Sequence, residues 1–219
     1  MEDQACPTDP NTPCDADTAQ CPSKKTDVPN MVLLREFLDP YFQGENSDGR
    51  TLDYILSQSD EWLANTDNWI QWPFPLRAGT RYNKNAPRID TDTREYIIQH
   101  RRFKEQVRLA VARVLWMYGF RVSYSPRDIT EFFEIALEPA ANGDEGNPHH
   151  LWTTEHSPHH ARIGRMIRCL SRFEMDEEAS NIARAFEKIN DMWGGVVNEK
   201  ALNSWTKYKE VQKAVDEAA

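Results

Sequence analysis

Residues 66–76 read TDNWIQWPFPL, and their placement decides the fold. Two Trp, one Ile, one Phe and one Leu fall in this stretch, and Pro73 and Pro75 cut the run. Proline supplies no amide hydrogen and disfavours helix in the residue before it, so a helix entering from the N-terminal side ends here. Beyond that stop the prolines hold the backbone extended, and successive large side chains enter different core pockets. We expect Trp69, Ile70, Trp72, Phe74 and Leu76 to form a kinked junction folded back on the long helix that follows. Aromatic bulk of this kind also builds ligand walls, so Trp69, Gln71 and Trp72 are candidate ligand contacts as well. Gln71, polar between two Trp, is expected to satisfy backbone groups freed by the helix break.

The flanking sequence is periodic on both sides. Upstream, Val32, Leu33, Leu34, Phe37 and Leu38 recur at helical spacing until Pro40, and Thr51 reads as the N-cap of TLDYILSQ. Another segment, Asp60–Trp72, starts with an acidic turn and places Trp62, Leu63, Trp69, Ile70 and Trp72 at mixed helical offsets until Pro73 ends it. Downstream, Ile97, Ile98, Phe103, Val107, Val111, Val114, Leu115 and Tyr118 predict one long helix over about 91–118, opened by Asp90 or Thr91 and closed by Gly119. Ser125-Pro126 signals a shorter helix at about 128–137, followed by the loop PAANGDEGNPHH. Ser157-Pro158 opens a helix bearing Ile163, Met166, Ile167 and Leu170. The next, at about 176–193, carries Ile182, Ala183, Phe186 and Ile189. After Gly194-Gly195 a last helix holds Leu202, Trp205, Tyr208 and Val211. No stretch alternates long enough to make a convincing strand. The expected fold is all-α, an irregular bundle of about seven or eight helices.

At 219 residues the chain fits one domain plus a tail. Residues 1–28 hold few large apolar side chains but Pro7, Pro10, Pro13 and Pro22, so they are expected to be a disordered leader before a single helical domain at 29–219. The formal net charge of -9 argues against general nucleic-acid binding, because neutralising phosphates needs a surplus of Lys and Arg. No apolar run approaches the ~20 residues of a transmembrane segment. The start MEDQACPTDP lacks the basic and apolar regions of a secretory signal, so an intracellular location, cytoplasmic or nuclear, is expected. Cys6, Cys14 and Cys21 lack the close pairing of zinc modules.

The chemistry-bearing residues gather in the C-terminal half. His149, His150, His156, His159 and His160 lie close together, but Pro158 interrupts the one pair at helical metal spacing. Exposed loop histidines are the expectation, with no metal and no cofactor, and His159 and His160 stand as candidate ligand contacts. There is no nucleophile elbow, phosphate-binding loop or glycine-rich dinucleotide motif. Cys169, among Met166, Ile167 and Leu170, reads as a buried structural thiol. In ARIGRMIRC, Arg162, Arg165 and Arg168, with Arg172 beyond, share one helical stripe. It is either a salt-bridged face or, with the helix dipole and free amides near Pro158, an anion site at Arg162 and Arg165. His100, Arg101, Arg102 and Lys104 leave the same two alternatives.

NWIQWPFPL resembles the I-Q-W-x-F-P-L signature of the opioid growth factor receptor conserved-region family. NAPRID is similar to that family's A-P-x-[LI] element, VLWMYGFRV to its L-x-F-Y-G-[IF]-x-L element, and SPHHARIGRMIRCLSRF to its S-H-N-[YN]-L-R-I-T-R-I-L-x-S-L block. The resemblance spans 52 to about 186 and keeps Arg162 and Arg165. It departs at Pro158, where the family has His, at His159-His160, and at Gly164, where the family has Thr. It implies a receptor-like, helical, non-enzymatic protein that binds a peptide or small anionic ligand, enkephalin in the receptor itself. The rival expectation is an enzyme of small-molecule biosynthesis with a histidine-lined pocket.

Overall fold

A computed structural model of the chain describes residues 30–78, 84–124, 133–137 and 149–206. The leader expected at 1–28, with its three cysteines, lies outside these residues, as do Tyr208 and Val211. The described elements are α1 (Asn30–Leu38), α2 (Leu52–Leu56), α3 (Asp60–Asn65), α4 (Thr91–Gln99), α5 (Arg101–Met117), β1 (Phe120–Tyr124), β2 (Phe133–Leu137), α6 (Pro158–Arg172), α7 (Asp176–Met192) and α8 (Glu199–Thr206). The fold is all-α: eight described helices in an irregular bundle, with one small antiparallel hairpin attached. No described helix is long and apolar enough to cross a membrane.

Local sequence explains where the helices start. Thr51, Ser59, Asp90 and Ser157 each accept a backbone N–H of the first turn, at 3.1, 3.1, 2.8 and 3.1 Å. Gly119, at φ +85°, takes the left-handed conformation that turns the end of α5 into β1.

Three expected helices are corrected. The one expected to enter the 66–76 stretch and end at Pro73 stops at Asn65, where Thr66 turns extended (φ −92°, ψ 129°) while its N–H still bonds the Trp62 carbonyl. The helix expected over 91–118 is two, because His100 adopts extended backbone (φ −117°, ψ 99°) between α4 and α5. Its imidazole Nδ1 lies 2.7 Å from the Tyr96 carbonyl and so partners a group near the break. The helix expected at 128–137 is a strand over its described part. Phe133–Leu137 pairs antiparallel with Phe120–Tyr124, from Phe120 opposite Leu137 to Tyr124 opposite Phe133. Cross-strand hydrogen bonds replace the helical ones there, in a segment too short for its periodicity to choose between the two.

The core is continuous through the bundle, and α6 is central to it. Ile163, Met166, Ile167 and Leu170 are buried, and α6 packs against both α7 and α8. Gly164 faces α8 so closely that a Cβ there would sit 3.3 Å from Ser204 Oγ and 3.4 Å from Trp205 Cδ1. A Cβ there requires the Ser204 and Trp205 side chains to give by a few tenths of an ångström, and the branches of a threonine ask for more. Gly164→Thr should therefore cost about 1–3 kcal/mol by overpacking. Urea denaturation checks this, and an unchanged midpoint would mean that α8 gives way freely.

Candidate functional site

The 66–76 string is core. Trp69 is 0 % and Trp72 2 % exposed, with Ile70, Phe74 and both prolines buried beside them and Leu76 half-buried. The Trp72 ring packs 5.2 Å from Phe37 of α1, and Trp69 Nε1 donates to the Leu63 carbonyl at 3.0 Å. Gln71 does not hold the backbone as expected: its buried Oε1, like Trp72 Nε1, has no hydrogen-bond partner among the described residues.

Arginines do that work. Arg162, only 7 % exposed, directs Nη1 to the carbonyls of Leu63 (2.8 Å) and Ala64 (3.0 Å), and Nη2 to Thr66 (3.0 Å). These carbonyls belong to the C-terminal end of α3, where the helix leaves acceptors open and its dipole favours a cation. One turn on, Arg165 Nε donates to the Phe74 carbonyl at 2.8 Å. The three-residue spacing thus lets one helix stripe grip both ends of the string. Burial lowers the Arg165 pKa to about 10, so the group stays charged at neutral pH. Arg162 also meets Asp67 at 3.1 Å, but that carboxylate is 74 % exposed and the ion pair contributes little.

Arg162 and Arg165 are therefore directed inward, chiefly to carbonyls, while Arg168 and Arg172 of the same stripe are exposed. The amides at the start of α6 are engaged too: His159 N–H bonds Ser157 Oγ, His160 N–H bonds the Ser157 carbonyl, and Pro158 has none. The second basic stretch is similarly paired, Arg101 with Glu105 at 2.8 Å and Arg102 with Asp39 at 3.0 Å.

The histidines separate into three settings. His149 and His159 flank the buried Tyr118: Nδ1 of His149 lies 2.7 Å from the Tyr118 carbonyl, and Nδ1 of His159 lies 3.0 Å from its hydroxyl. Expected in an exposed loop, both are buried, as is His160. Their surroundings are aromatic: Phe120 and Trp152 meet His149, Trp205 meets His160, and Phe186 packs on Tyr118. His160 turns another way, Nε2 at 2.8 Å from the Trp152 carbonyl. His156 is exposed beside Glu155, and His150 is exposed as well. No three His, Cys, Asp or Glu side chains are placed to share a metal among the described residues. Burial pushes the Tyr118 hydroxyl and the Cys169 thiol well above their ordinary values, so neither is poised as a nucleophile or base.

Of the candidate site residues, His160 lines an open groove. A groove of about 490 Å³ runs between the start of α6 and α8, lined by His156, Ser157, Pro158, His160 and Ala161 on one side and Asn198, Lys200, Ala201 and Ser204 on the other. Comparison with family models, curated proteins and solved structures found no match. The groove holds a lysine and two histidines and no carboxylate, in a chain whose net charge is -9. Lys200 and Asn198 were not expected as site residues. Asn198 has a legible signal, since it precedes EKALNSW as an N-cap, and its Oδ1 accepts the Ala201 N–H at 3.0 Å.

Burial also sets a pH dependence. Desolvation first, then the Arg162 guanidinium and the neighbouring His160 and His150, lower the His159 pKa from 6.5 to about 4. Desolvation lowers His149 and His160 in the same direction. The unfolded chain then binds more protons than the folded one between about pH 6.5 and 4, so stability is full above that window and falls as pH drops through it. For His159 the loss is about 2–3 kcal/mol. Urea unfolding at pH 7.5 and 4.5 should show it, and His159→Gln should flatten the slope. An identical slope in the variant would mean that His159 is charged in the fold.

Proposed function

We propose that the chain is an opioid growth factor receptor-like helical binding protein that takes a peptide or small anionic ligand into the α6–α8 groove. One observation carries this: the groove is lined by Lys200, His156 and His160 with no carboxylate among its lining side chains, Glu155 lying outside them at 3.6 Å from His156, in an otherwise acidic protein. A shallow basic groove suits a ligand carboxylate that stays partly solvated. The resemblance of NWIQWPFPL and the Arg162/Arg165 block to the family supports the same fold use, with those residues as the frame and the groove as the recognition surface. The rival enzyme has less support, because the groove's hydroxyls are spent on backbone: Ser157 Oγ donates to the Leu151 carbonyl at 2.7 Å and Ser204 Oγ to Ala201 at 2.7 Å.

Calorimetric titration tests the proposal with a Tyr-initial pentapeptide bearing a free C-terminal carboxylate. Binding should weaken about fivefold to tenfold both when the peptide is amidated and in Lys200→Ala, the range expected of one charge-assisted contact near solvent. Equal affinity for the acid and the amide, unaltered by Lys200→Ala, would remove the groove as the anion site.

A further inference from the structure

His160 lines the groove, and its two ring nitrogens meet opposite chemistry. Nε2 faces the Trp152 carbonyl at 2.8 Å, so it carries the proton in the neutral ring. Nδ1 faces Asn198 Nδ2 at 3.5 Å. That amide cannot turn round, because its Oδ1 accepts the Ala201 N–H at 3.0 Å and its Nδ2 donates to the Glu155 carbonyl at 2.6 Å. Nδ1 must therefore present a lone pair. Asn198 in this way ties three things together: the first turn of α8, the loop before α6, and the His160 ring.

We propose that His160 is a proton-operated latch on the groove. While neutral it accepts from Asn198 and keeps the start of α8 fastened to the loop at 149–157; once protonated, its Nδ1–H confronts an amide with no acceptor to offer, and the fastening lets go. The ring cannot escape by rotating, because Nε2 holds the Trp152 carbonyl and Trp205 of α8 packs edge-on at 5.6 Å. Behind Trp205, α7 contributes Phe186 at 5.6 Å. Burial opposes a charge on the ring most, the Trp152 carbonyl favours it, and His156 of the preceding loop opposes it. The other titratable groups nearby are His159 on α6, Lys200 on α8 and Glu155, whose carboxylate lies 3.6 Å from His156 Nε2. The latch accordingly works on the acid side of the ordinary histidine range. An anion in the groove would favour the protonated ring, so occupancy and release are linked. That linkage rests on the function proposed above; the latch itself does not, and it is tested without any ligand.

Nitrogen NMR of the His160 ring should show the Nε2–H tautomer at neutral pH. The exchange protection of the Ala201 amide should fall on acidification with the midpoint of the His160 titration, while the Val111 amide in α5 stays protected. Asn198→Asp keeps the cap on Ala201 but gives Nδ1–H an acceptor. It should raise the His160 pKa by about one unit or more and preserve Ala201 protection through the transition. His160→Gln should remove the acid step at Ala201. An Nδ1–H tautomer at neutral pH, an Ala201 protection indifferent to His160 ionisation, or an Asn198→Asp variant that leaves the His160 pKa in place would each overturn the latch.

Discussion

Arg162→Ala should destabilise the protein by about 3–5 kcal/mol, the range for breaking a buried, hydrogen-bonded charge. The substitution strands the carbonyls of Leu63, Ala64 and Thr66 at the end of α3 and opens a cavity behind them. The Asp67 contact adds little to this figure, because its carboxylate is mostly in water. Arg162→Lys separates charge from shape. A lysine keeps the cation but loses the planar fork that reaches three carbonyls at once, so it should recover less than half of the loss. Guanidinium unfolding measures both. A loss under about 1 kcal/mol for Arg162→Ala would show that water replaces the guanidinium without strain and that the arginine is not architecture.

Trp72→Ala should cost a similar amount, about 3–5 kcal/mol, by leaving a void where α1 meets the string. The indole is buried and packs on Phe37, so little can collapse into its place. Trp72→Phe is the informative companion. It also removes a buried Nε1–H that has no acceptor among the described residues, and that relief offsets part of the lost packing. Its cost should fall well below that of the alanine. If both substitutions leave the denaturation midpoint in place, the string is not the keystone of the core.

These two expectations show what the sequence made legible. The string declared itself as core because its bulk exceeds what a solvated turn tolerates, and the helical periods around it placed α1, α2, α6, α7 and α8. The destination of the arginines was harder to see. A stripe at offsets of three looks the same whether it faces solvent, an anion or a row of carbonyls, and only tertiary structure distinguishes them. The same use recurs elsewhere in this acidic chain. Arg113 of α5 donates to the carbonyls of Leu56, the last residue of α2, and of Gln58 just past it, at 3.0 and 2.6 Å, and Arg94 of α4 reaches the carbonyl of Arg172 at the end of α6, at 3.0 Å. Arginines from neighbouring helices thus serve as C-caps, where cations suit the helix dipole.

The misread elements failed for equally local reasons. FRVSY and FEIAL span five residues each, and a five-residue window does not separate strand from helix. His100 broke the long helix without a proline or glycine to announce it. The groove escaped notice because its walls are ordinary residues, brought together by two helices packed across Gly164. Lys200 had no pattern to mark it.

The central claim is a division of labour: Arg162, Arg165 and the 66–76 string are frame, and recognition belongs to the α6–α8 groove. Backbone amide NMR during titration with the Tyr-initial pentapeptide tests it most directly. Shifts should cluster at 156–161 and 198–204, with the amides of 63–76 unmoved. Shifts centred on 63–76, with 198–204 silent, would contradict the division and return the aromatic string to the role of a ligand wall.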